Sequence, residues 1–145
     1  MMEKILLSTI ALSAIMMADL SRNSAGVVTD STTGLEWQDD YSDNGGSIKE
    51  AKWQDAIDYC EALSLDGHGD WRLPNIRELN SIDDLSHVTP AIDPTFQHTV
   101  SGHYWSSSTY EDGHGSAWGV YFYDGYRYAY VKDRSNYVRC VRPGE

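Results

Sequence analysis

The sequence predicts a single α+β domain, in which a strand pair precedes two helices and an antiparallel sheet. Its 145 residues suffice for one hydrophobic core. Three observations support this class. Residues 27–38 (VVTDSTTGLEWQ) are typical of two strands around a turn. Two central stretches place apolar residues at spacings of three and four, as helices do. Tyrosines near the C-terminal end alternate with other residues, as in strands.

The first helix is predicted from one apolar face. Trp53, Ile57 and Cys60 follow helical spacing and continue to residue 63 or 64. Ser47 and Glu50 stand three residues apart before this run, in the arrangement of a capping box. We therefore expect Ser47 to cap the helix and Cys60 to face the core.

The segment 67–79 (GHGDWRLPNIREL) is predicted to begin a second helix. Pro74 disfavours a helical conformation in the residue before it. Asn75 then stands at the N-cap position, with Glu78 three residues later. Arg72 is well placed to pair with Glu78. The residues to which we assign structural roles are Trp37, Trp53, Trp71, Arg72, Pro74, Asn75, Glu78, Trp105 and Trp118.

The C-terminal part is predicted to be a sheet. Strands are expected at residues 104–108, 117–123, 126–131 and 137–141. Asp124 and Gly125 form the sequence signal of a two-residue hairpin turn. If Trp118, Val120 and Phe122 face the core, the tyrosines between and after them point outward.

The N-terminal segment predicts export. Residues 5–18 (ILLSTIALSAIMMA) follow a lysine and are nearly all apolar or small, which is typical of a secretory signal peptide. The alternative is an uncleaved anchor. We divide the chain into a signal peptide (1–18), an N-terminal extension (19–26), the domain (27–142) and a tail (143–145). The mature chain is then periplasmic or extracellular, without a membrane span.

Export bears on the oxidation state of the two cysteines. Cys60 and Cys140 are the only ones in the chain, and an oxidising compartment favours a disulfide between them. Such a bond would tie the first helix to the last strand. The alternative is a pair of buried thiols.

The charge is acidic and uneven. The formal net charge is −11, and residues 19–93 hold 16 acids against five bases. Five bases follow between residues 126 and 142, with one acid among them. The whole chain should repel polyanions, so nucleic-acid binding finds no support. The C-terminal bases either form a small anion-binding face or neutralise neighbouring acids.

Six segments, taken in order, resemble a bacterial domain family. They are TGLEWQ (33–38), the helix around Trp53 and Cys60, GDWRLP (69–74) with its following acid, YWSSS (104–108), AWGVYF (117–122) and YVRCVR (137–142). The chain is similar to the C-terminal domain of the Legionella collagen-like protein. The resemblance implies a C-type-lectin-like fold, with two helices on an antiparallel sheet and a disulfide from the first helix to the last strand. The best-known member is an adhesin for sulfated glycosaminoglycans. This chain differs in lacking a collagen-like stalk and in being acidic.

No catalytic residues are expected. The RLP element is also similar to formylglycine-generating and sulfatase-modifying proteins, but that chemistry needs a reactive cysteine pair, and a structural disulfide would use both cysteines. No cofactor is expected, unless calcium binds in two polar loops. Asp40 and Asn44 lie in one loop, and Glu111 and Asp112 in the other. The first lacks the bidentate Glu of an EF-hand, and the second is more typical of a solvated hairpin tip, because a hard cation needs six or more oxygen ligands.

The aromatic C-terminal strands are the predicted binding surface. Exposed tyrosines can stack on sugars or anchor a protein, whereas cross-strand tyrosine pairs can also simply stabilise a sheet. Both explanations stay open here. The favoured partner is a carbohydrate or glycoconjugate. The alternative is a protein-interaction or assembly module of a cell-envelope complex, in which the chain could be an oligomer. The candidate ligand-binding residues are Tyr121, Tyr123, Tyr126, Arg127, Tyr128, Tyr130, Arg134 and Arg139.

Overall fold

The computed structural model describes residues 19–112 and 114–144. The expected signal peptide lies outside these residues. Within the described part of the chain, no helix has the length and apolar character needed to cross a membrane.

Besides one turn of 3-10 helix at Ser42–Asn44, the described residues form nine short strands and two α-helices. In order, they are β1 (Leu20–Arg22), β2 (Val27–Asp30), β3 (Leu35–Gln38), β4 (Glu50–Ala51), α1 (Trp53–Ala62), α2 (Ile76–Ser81), β5 (His103–Tyr110), β6 (Ser116–Tyr121), β7 (Tyr126–Val131), β8 (Asn136–Tyr137) and β9 (Val141–Pro143).

The first sheet joins the two ends of the domain. Its strand order is β1-β2-β3-β9, and all neighbours are antiparallel. Trp37 of β3 lies opposite Val141 of β9, and both are fully buried. The predicted strand pair at residues 27–38 is confirmed. The extension at residues 19–26 contributes β1, which pairs with β2.

The second sheet carries the aromatic strands, in the order β4-β8-β5-β6-β7. Strands β8 and β5 are parallel, and the other neighbours are antiparallel. The predicted two-residue hairpin turn is wrong, because the last pair of β6 and β7 is Tyr121 with Tyr126, which leaves a four-residue loop. Phe122 leaves the strand register because its N–H donates to Gly102 O and its carbonyl accepts from Ala91 N. Its ring is fully buried.

The start of α1 differs from the prediction. The expected capping box of Ser47 and Glu50 does not precede the helix, because Glu50 and Ala51 form strand β4 and pair with β8. The helix begins at Trp53 instead, after Lys52. Pairing with β8 provides hydrogen bonds for backbone groups that the cap was expected to satisfy.

The start of α2 confirms the prediction. Asn75 Oδ1 accepts from Glu78 N at 2.8 Å, and Glu78 Oε1 accepts from Asn75 N at 2.9 Å. This is a complete capping box. Arg72 donates to both carboxylate oxygens of Glu78, at 2.6 and 2.7 Å. Arg72 also exchanges backbone hydrogen bonds with Val141, so this segment links α2 to the first sheet.

Glu78→Gln should lower stability at neutral pH by about 1 kcal/mol. The ionic bond to Arg72 is lost, but Arg72 is 42% exposed and water weakens the pair. The Arg72 guanidinium lowers the pKa of Glu78 in the folded protein. The pair therefore contributes fully to stability above the ordinary carboxyl pKa of 4.5, and this contribution is lost as the pH falls through the lowered pKa of the folded state. In urea unfolding between pH 3 and 7, the difference in unfolding free energy between the wild type and Glu78→Gln should become smaller at acidic pH. Glu61→Gln, at an exposed position on α1, is the control. A difference that is constant with pH would contradict the assignment.

The predicted disulfide is confirmed. Cys60 of α1 and Cys140, just before β9, are bonded to each other across 80 positions of sequence. Both are fully buried, in a core cluster with Trp71 and Trp105. A second core cluster contains Trp37, Leu79, Tyr104 and Phe122. The disulfide therefore links α1 to the segment that leads into β9, the last strand of the first sheet.

Candidate functional site

One face of the second sheet gathers most of the candidate tyrosines. The register of β6 and β7 puts Tyr121 opposite Tyr126 and Gly119 opposite Tyr128, while His103 of β5 lies opposite Tyr121. Residues opposite one another, and those two apart on one strand, share a face. We call this set, with Tyr123 of the adjoining loop, the tyrosine face: His103, Tyr121, Tyr123, Tyr126, Tyr128 and Tyr130.

The centre of the tyrosine face is a stack of rings. Tyr121 stacks on His103 with ring centroids 4.0 Å apart, and on Tyr123 at 5.6 Å. The Tyr130 hydroxyl is hydrogen-bonded to His103 Nδ1, and Tyr130 is buried. A Cβ at Gly119 would overlap the Tyr104 carbonyl oxygen and reach the Tyr130 ring, so glycine is needed for this packing. Cross-strand pairing thus accounts for Tyr121 and Tyr130.

The surroundings of His103 favour its neutral form. Burial lowers the pKa of His103, and the positive charge of Arg134 lowers it further. A neutral imidazole has one nitrogen that donates and one that accepts a hydrogen bond. His103 therefore adds no charge to the face.

The exposed tyrosines surround an ordered carboxylate. Tyr123, Tyr126 and Tyr128 are 50%, 62% and 40% exposed. Asp124 Oδ1 accepts from Tyr126 N, and its Oδ2 accepts from the Tyr128 hydroxyl, both at 2.9 Å. The bond to Asp124 raises the pKa of Tyr128. Two hydrogen bonds therefore fix the Asp124 carboxylate among exposed rings.

Beside these tyrosines lies a cleft of about 430 Å³, which we call the hairpin cleft. It is lined by Leu85, Val88, Thr89, Tyr123, Asp124 and Tyr126. Leu85 and Val88 come from the connector after α2 and are 62% and 75% exposed. The cleft thus combines apolar and aromatic walls with one carboxylate.

A second cleft, of about 280 Å³, lies where β4 and β8 meet β5 and β6; we call it the sheet cleft. Its walls include Glu50, His103, Tyr121, Arg134, Asn136 and Tyr137. Tyr121 lines this cleft and stacks on Tyr123, which lines the hairpin cleft. The two clefts therefore adjoin the same stack of rings.

Arg139 corrects the prediction of a ligand-binding residue, because its side chain is fully buried. Its guanidinium donates to Gln38 O at 2.5 Å, Asp39 Oδ1 at 3.1 Å and His98 O at 2.5 Å. It also lies over the Phe96 ring, 4.5 Å from the centroid. Arg139 belongs to the core and is closed to a ligand.

Arg127 also corrects the prediction, because it lies on the opposite side of the sheet from the tyrosines. It stands opposite Val120 in the register, and its guanidinium carbon lies 5.6 Å from the centroid of the Trp118 ring. Trp118 was expected to face the core but is half-buried under this cation. Alternation along β7 separates Arg127 from Tyr126 and Tyr128.

The other C-terminal bases are divided between the core and the surface. Arg142 is buried and donates to Glu36 at 2.5 Å and to Asp70 at 2.7 Å. Lys132 lies over the Trp53 ring. Arg134 is exposed and lines the sheet cleft, as a candidate binding residue should. The predicted basic surface is thus replaced by acid–base pairing at Arg139 and Arg142.

The calcium candidates lie in two separate loops. Asp40 Oδ1 accepts from the backbone N–H and the hydroxyl of Ser42, and Asn44 Nδ2 donates to Ser47 O. Glu111 and Asp112 are exposed. Across residues 19–112 and 114–144, no group of three or more His, Cys, Asp or Glu side chains is arranged to hold a metal ion.

Among the cleft residues that the sequence did not indicate, four carry a carboxylate, imidazole or amide group. His103 precedes the predicted strand by one residue, so extending that strand would have placed it beside Tyr121. Asp124 was noted only as a turn former. Glu50 was assigned to a helix cap. Asn136 gave no local signal, because its place depends on the pairing of β8 with β4.

Comparison with known proteins agrees with this architecture. The model of the Lcl C-terminal domain family matches residues 26–142, which is most of the chain. No curated protein matches the sequence. The two helices, the largely antiparallel sheets and the disulfide agree with the C-type-lectin-like fold that the resemblance implied. The chain therefore belongs to the Lcl C-terminal domain family.

Proposed function

We propose that this protein is an exported, non-catalytic module that binds a carbohydrate in the hairpin cleft. The observation that carries the proposal is the exposed Tyr123 and Tyr126 beside the fixed Asp124 carboxylate. The proposal of export rests on the apolar segment at residues 5–18, which is typical of a signal peptide, and the disulfide suits it, since such bonds persist in oxidising compartments.

The chemistry of the cleft suits a sugar ring. The C–H faces of a pyranose are apolar and can pack on the broad face of a tyrosine, while the tyrosine hydroxyl remains free to hydrogen-bond. Sugar hydroxyls can donate to a carboxylate, which makes bonds stronger than those between neutral groups. Tyr123 and Tyr126 supply the first kind of contact and Asp124 supplies the second.

The charges favour an uncharged sugar. A sulfated chain needs several exposed cations, but Arg139 and Arg142 are buried in ion pairs and Arg127 lies across the sheet. The protein carries a net charge of −11, which repels polyanions. We infer that the ligand differs from the sulfated glycosaminoglycans of the best-known family member.

The absence of catalysis is part of the proposal. Both cysteines are joined in one buried disulfide, so neither is available as the reactive pair that formylglycine-type chemistry requires. The tyrosine face contributes the imidazole of His103, and the adjoining Asp124 contributes a carboxylate that is hydrogen-bonded to Tyr128. The hydroxyl of Tyr130 likewise engages His103, so tyrosines of the same chain already engage both groups, which suits a fixed recognition surface.

Tyr126→Ala should weaken sugar binding about tenfold or more, because it removes an exposed ring from the cleft. The measurement is a glycan array with residues 19–145, followed by titration of a sugar that binds. Tyr110→Ala is the control, since Tyr110 is also exposed but packs on Trp118. Binding should persist in chelator and change little between low and physiological salt. A blank array under all conditions would remove the carbohydrate proposal.

A second candidate is an assembly module. Leu85 and Val88 are 62% and 75% exposed beside two exposed tyrosines, and such a patch also suits a protein partner. Sedimentation of the wild-type chain over a hundredfold range of concentration distinguishes the two functions. A mass that rises with concentration, together with a blank array, would favour assembly.

A further inference from the structure

We propose that the sheet cleft is a second subsite, which takes one uncharged hexopyranose residue and uses Asn136 as its main hydrogen-bonding group. This inference rests on the proposed carbohydrate function and extends it to a separate cleft. The hairpin cleft would hold one part of the sugar ligand, and the sheet cleft another.

The buried amide of Asn136 is the first observation. Asn136 lines the cleft and is only 6% exposed. Its side-chain nitrogen has no hydrogen-bond partner among the protein groups of residues 19–112 and 114–144. Native proteins pair nearly all buried polar groups, so an unpaired amide in the wall of a cleft calls for a partner from outside the chain. The nitrogen is shielded from solvent, so a sugar hydroxyl becomes its partner when the amide turns toward the cleft.

The strand pairing holds Asn136 in place. Asn136 lies opposite Ala51 in the pairing of β8 with β4, and its neighbour Tyr137 lies beside Tyr104 of β5. The amide therefore sits on a strand that is paired on both edges. A group held in this way loses little conformational freedom when a ligand binds.

The charges of the cleft balance. Glu50 and Arg134 are both exposed at its edge and have opposite signs. Burial and Arg134 lower the pKa of His103, which favours its uncharged form. A carboxylate on the ligand would pair with Arg134 but be repelled by Glu50, and an ammonium group would pair with Glu50 but be repelled by Arg134. Hydroxyls both donate and accept, so they match this mixed wall without leaving a charge unpaired.

The size of the cleft fits one ring. Its volume of about 280 Å³ is just below the range of about 300–1,000 Å³ that holds drug-sized ligands. Tyr121 and His103 form an aromatic wall, with centroids 4.0 Å apart. Because Tyr121 also stacks on Tyr123 of the hairpin cleft, a short oligosaccharide along the tyrosine face would contact both clefts.

The test observes Asn136 directly. The ¹⁵N-labelled chain is titrated with the methyl glycosides of glucose, galactose and mannose, up to high millimolar concentration. We expect at least one sugar to shift the side-chain NH₂ signals of Asn136 in a saturable way. The side-chain signals of Asn80, on α2, should stay in place. Failure of all three sugars to move the Asn136 signals would overturn the proposal.

Two variants separate this subsite from the hairpin cleft. Asn136→Ala should weaken binding about fivefold to tenfold. The melting temperature should fall only by what the lost packing of one small buried side chain costs, because the deleted amide nitrogen has no partner in the described chain. Tyr126→Ala tests the hairpin cleft alone. Sugar binding that depends on Tyr126 but not on Asn136 would overturn the second subsite and leave the proposed function standing.

Two further outcomes complete the test. If the wild-type chain bound no sugar at either cleft, the proposed function and this inference would both be overturned. Methyl glucuronide or methyl glucosaminide that shifts Asn136 at lower concentration than the neutral sugars would overturn the assignment to an uncharged ring.

Discussion

Arg139→Met should destabilise the protein by about 3–5 kcal/mol, the usual cost of leaving a buried charge without its partner. The side chains of Arg139 and Asp39 are both fully buried, 3.1 Å apart. Asp39 would keep Arg22, at 2.6 Å, and the backbone N–H groups of Gln97 and His98. The carbonyls of Gln38 and His98 would each lose a charged donor. Urea unfolding of the variant and the wild type measures the difference.

Two further variants sharpen the Arg139 prediction. Arg134→Met removes an exposed arginine five positions earlier and should change stability by less than about 0.5 kcal/mol. The double variant Arg139→Met/Asp39→Asn should cost less than the sum of Arg139→Met and Asp39→Asn, because the two single variants remove the same ion pair. A loss below about 1 kcal/mol in Arg139→Met would show that this pair is unimportant to the fold.

Replacing both cysteines with alanine should cost about 2–5 kcal/mol. Cys60 and Cys140 are 80 positions apart, and closing a loop of that length is worth about 4.5 kcal/mol in the chain-entropy model. Two buried sulfurs are also lost from the core cluster around Trp71 and Trp105. Thermal unfolding of the double variant measures the difference.

A reducing agent provides the control for the disulfide prediction. It should lower the melting temperature of the wild type toward that of the Cys60→Ala/Cys140→Ala variant and leave the variant unchanged. If the oxidised wild type and the variant melted together, the bond would contribute nothing to stability.

Local signals predicted those parts of the fold that depend on neighbouring residues. Asn75 and Glu78 are three positions apart, so the capping box that begins α2 could be read from sequence. The cap predicted for α1 followed the same rule and was wrong. Glu50 there pairs with Tyr137, a partner 87 positions away that no local pattern reveals. The turn at Asp124 was wrong for a similar reason, since the connector holds the backbone of Phe122.

The candidate site was predicted in part. Alternation placed Tyr121, Tyr126 and Tyr128 correctly, because side chains alternate along every strand. The same alternation should have separated Arg127 from Tyr126 and Tyr128. Arg139 could not be placed from sequence, because its carboxylate partner lies 100 positions earlier.

The uneven charge along the sequence has a structural explanation. Acids of the first half pair with bases of the second half: Asp39 with Arg139, and Glu36 and Asp70 with Arg142. The C-terminal bases are therefore complementary to their own chain. Charge distribution along a sequence can report on folding partners as well as on ligands.

The first sheet has a consequence for how the domain can be attached to other chains. Asp19 O accepts from Ser31 N, and Gly144 N donates to Gly34 O, so both ends of the described domain meet the same turn. A polypeptide that continued from either end would leave from neighbouring points. The domain could thus be inserted into a surface loop of a larger protein as readily as attached at one end of it. In the first case both linkers would leave the domain beside the same turn.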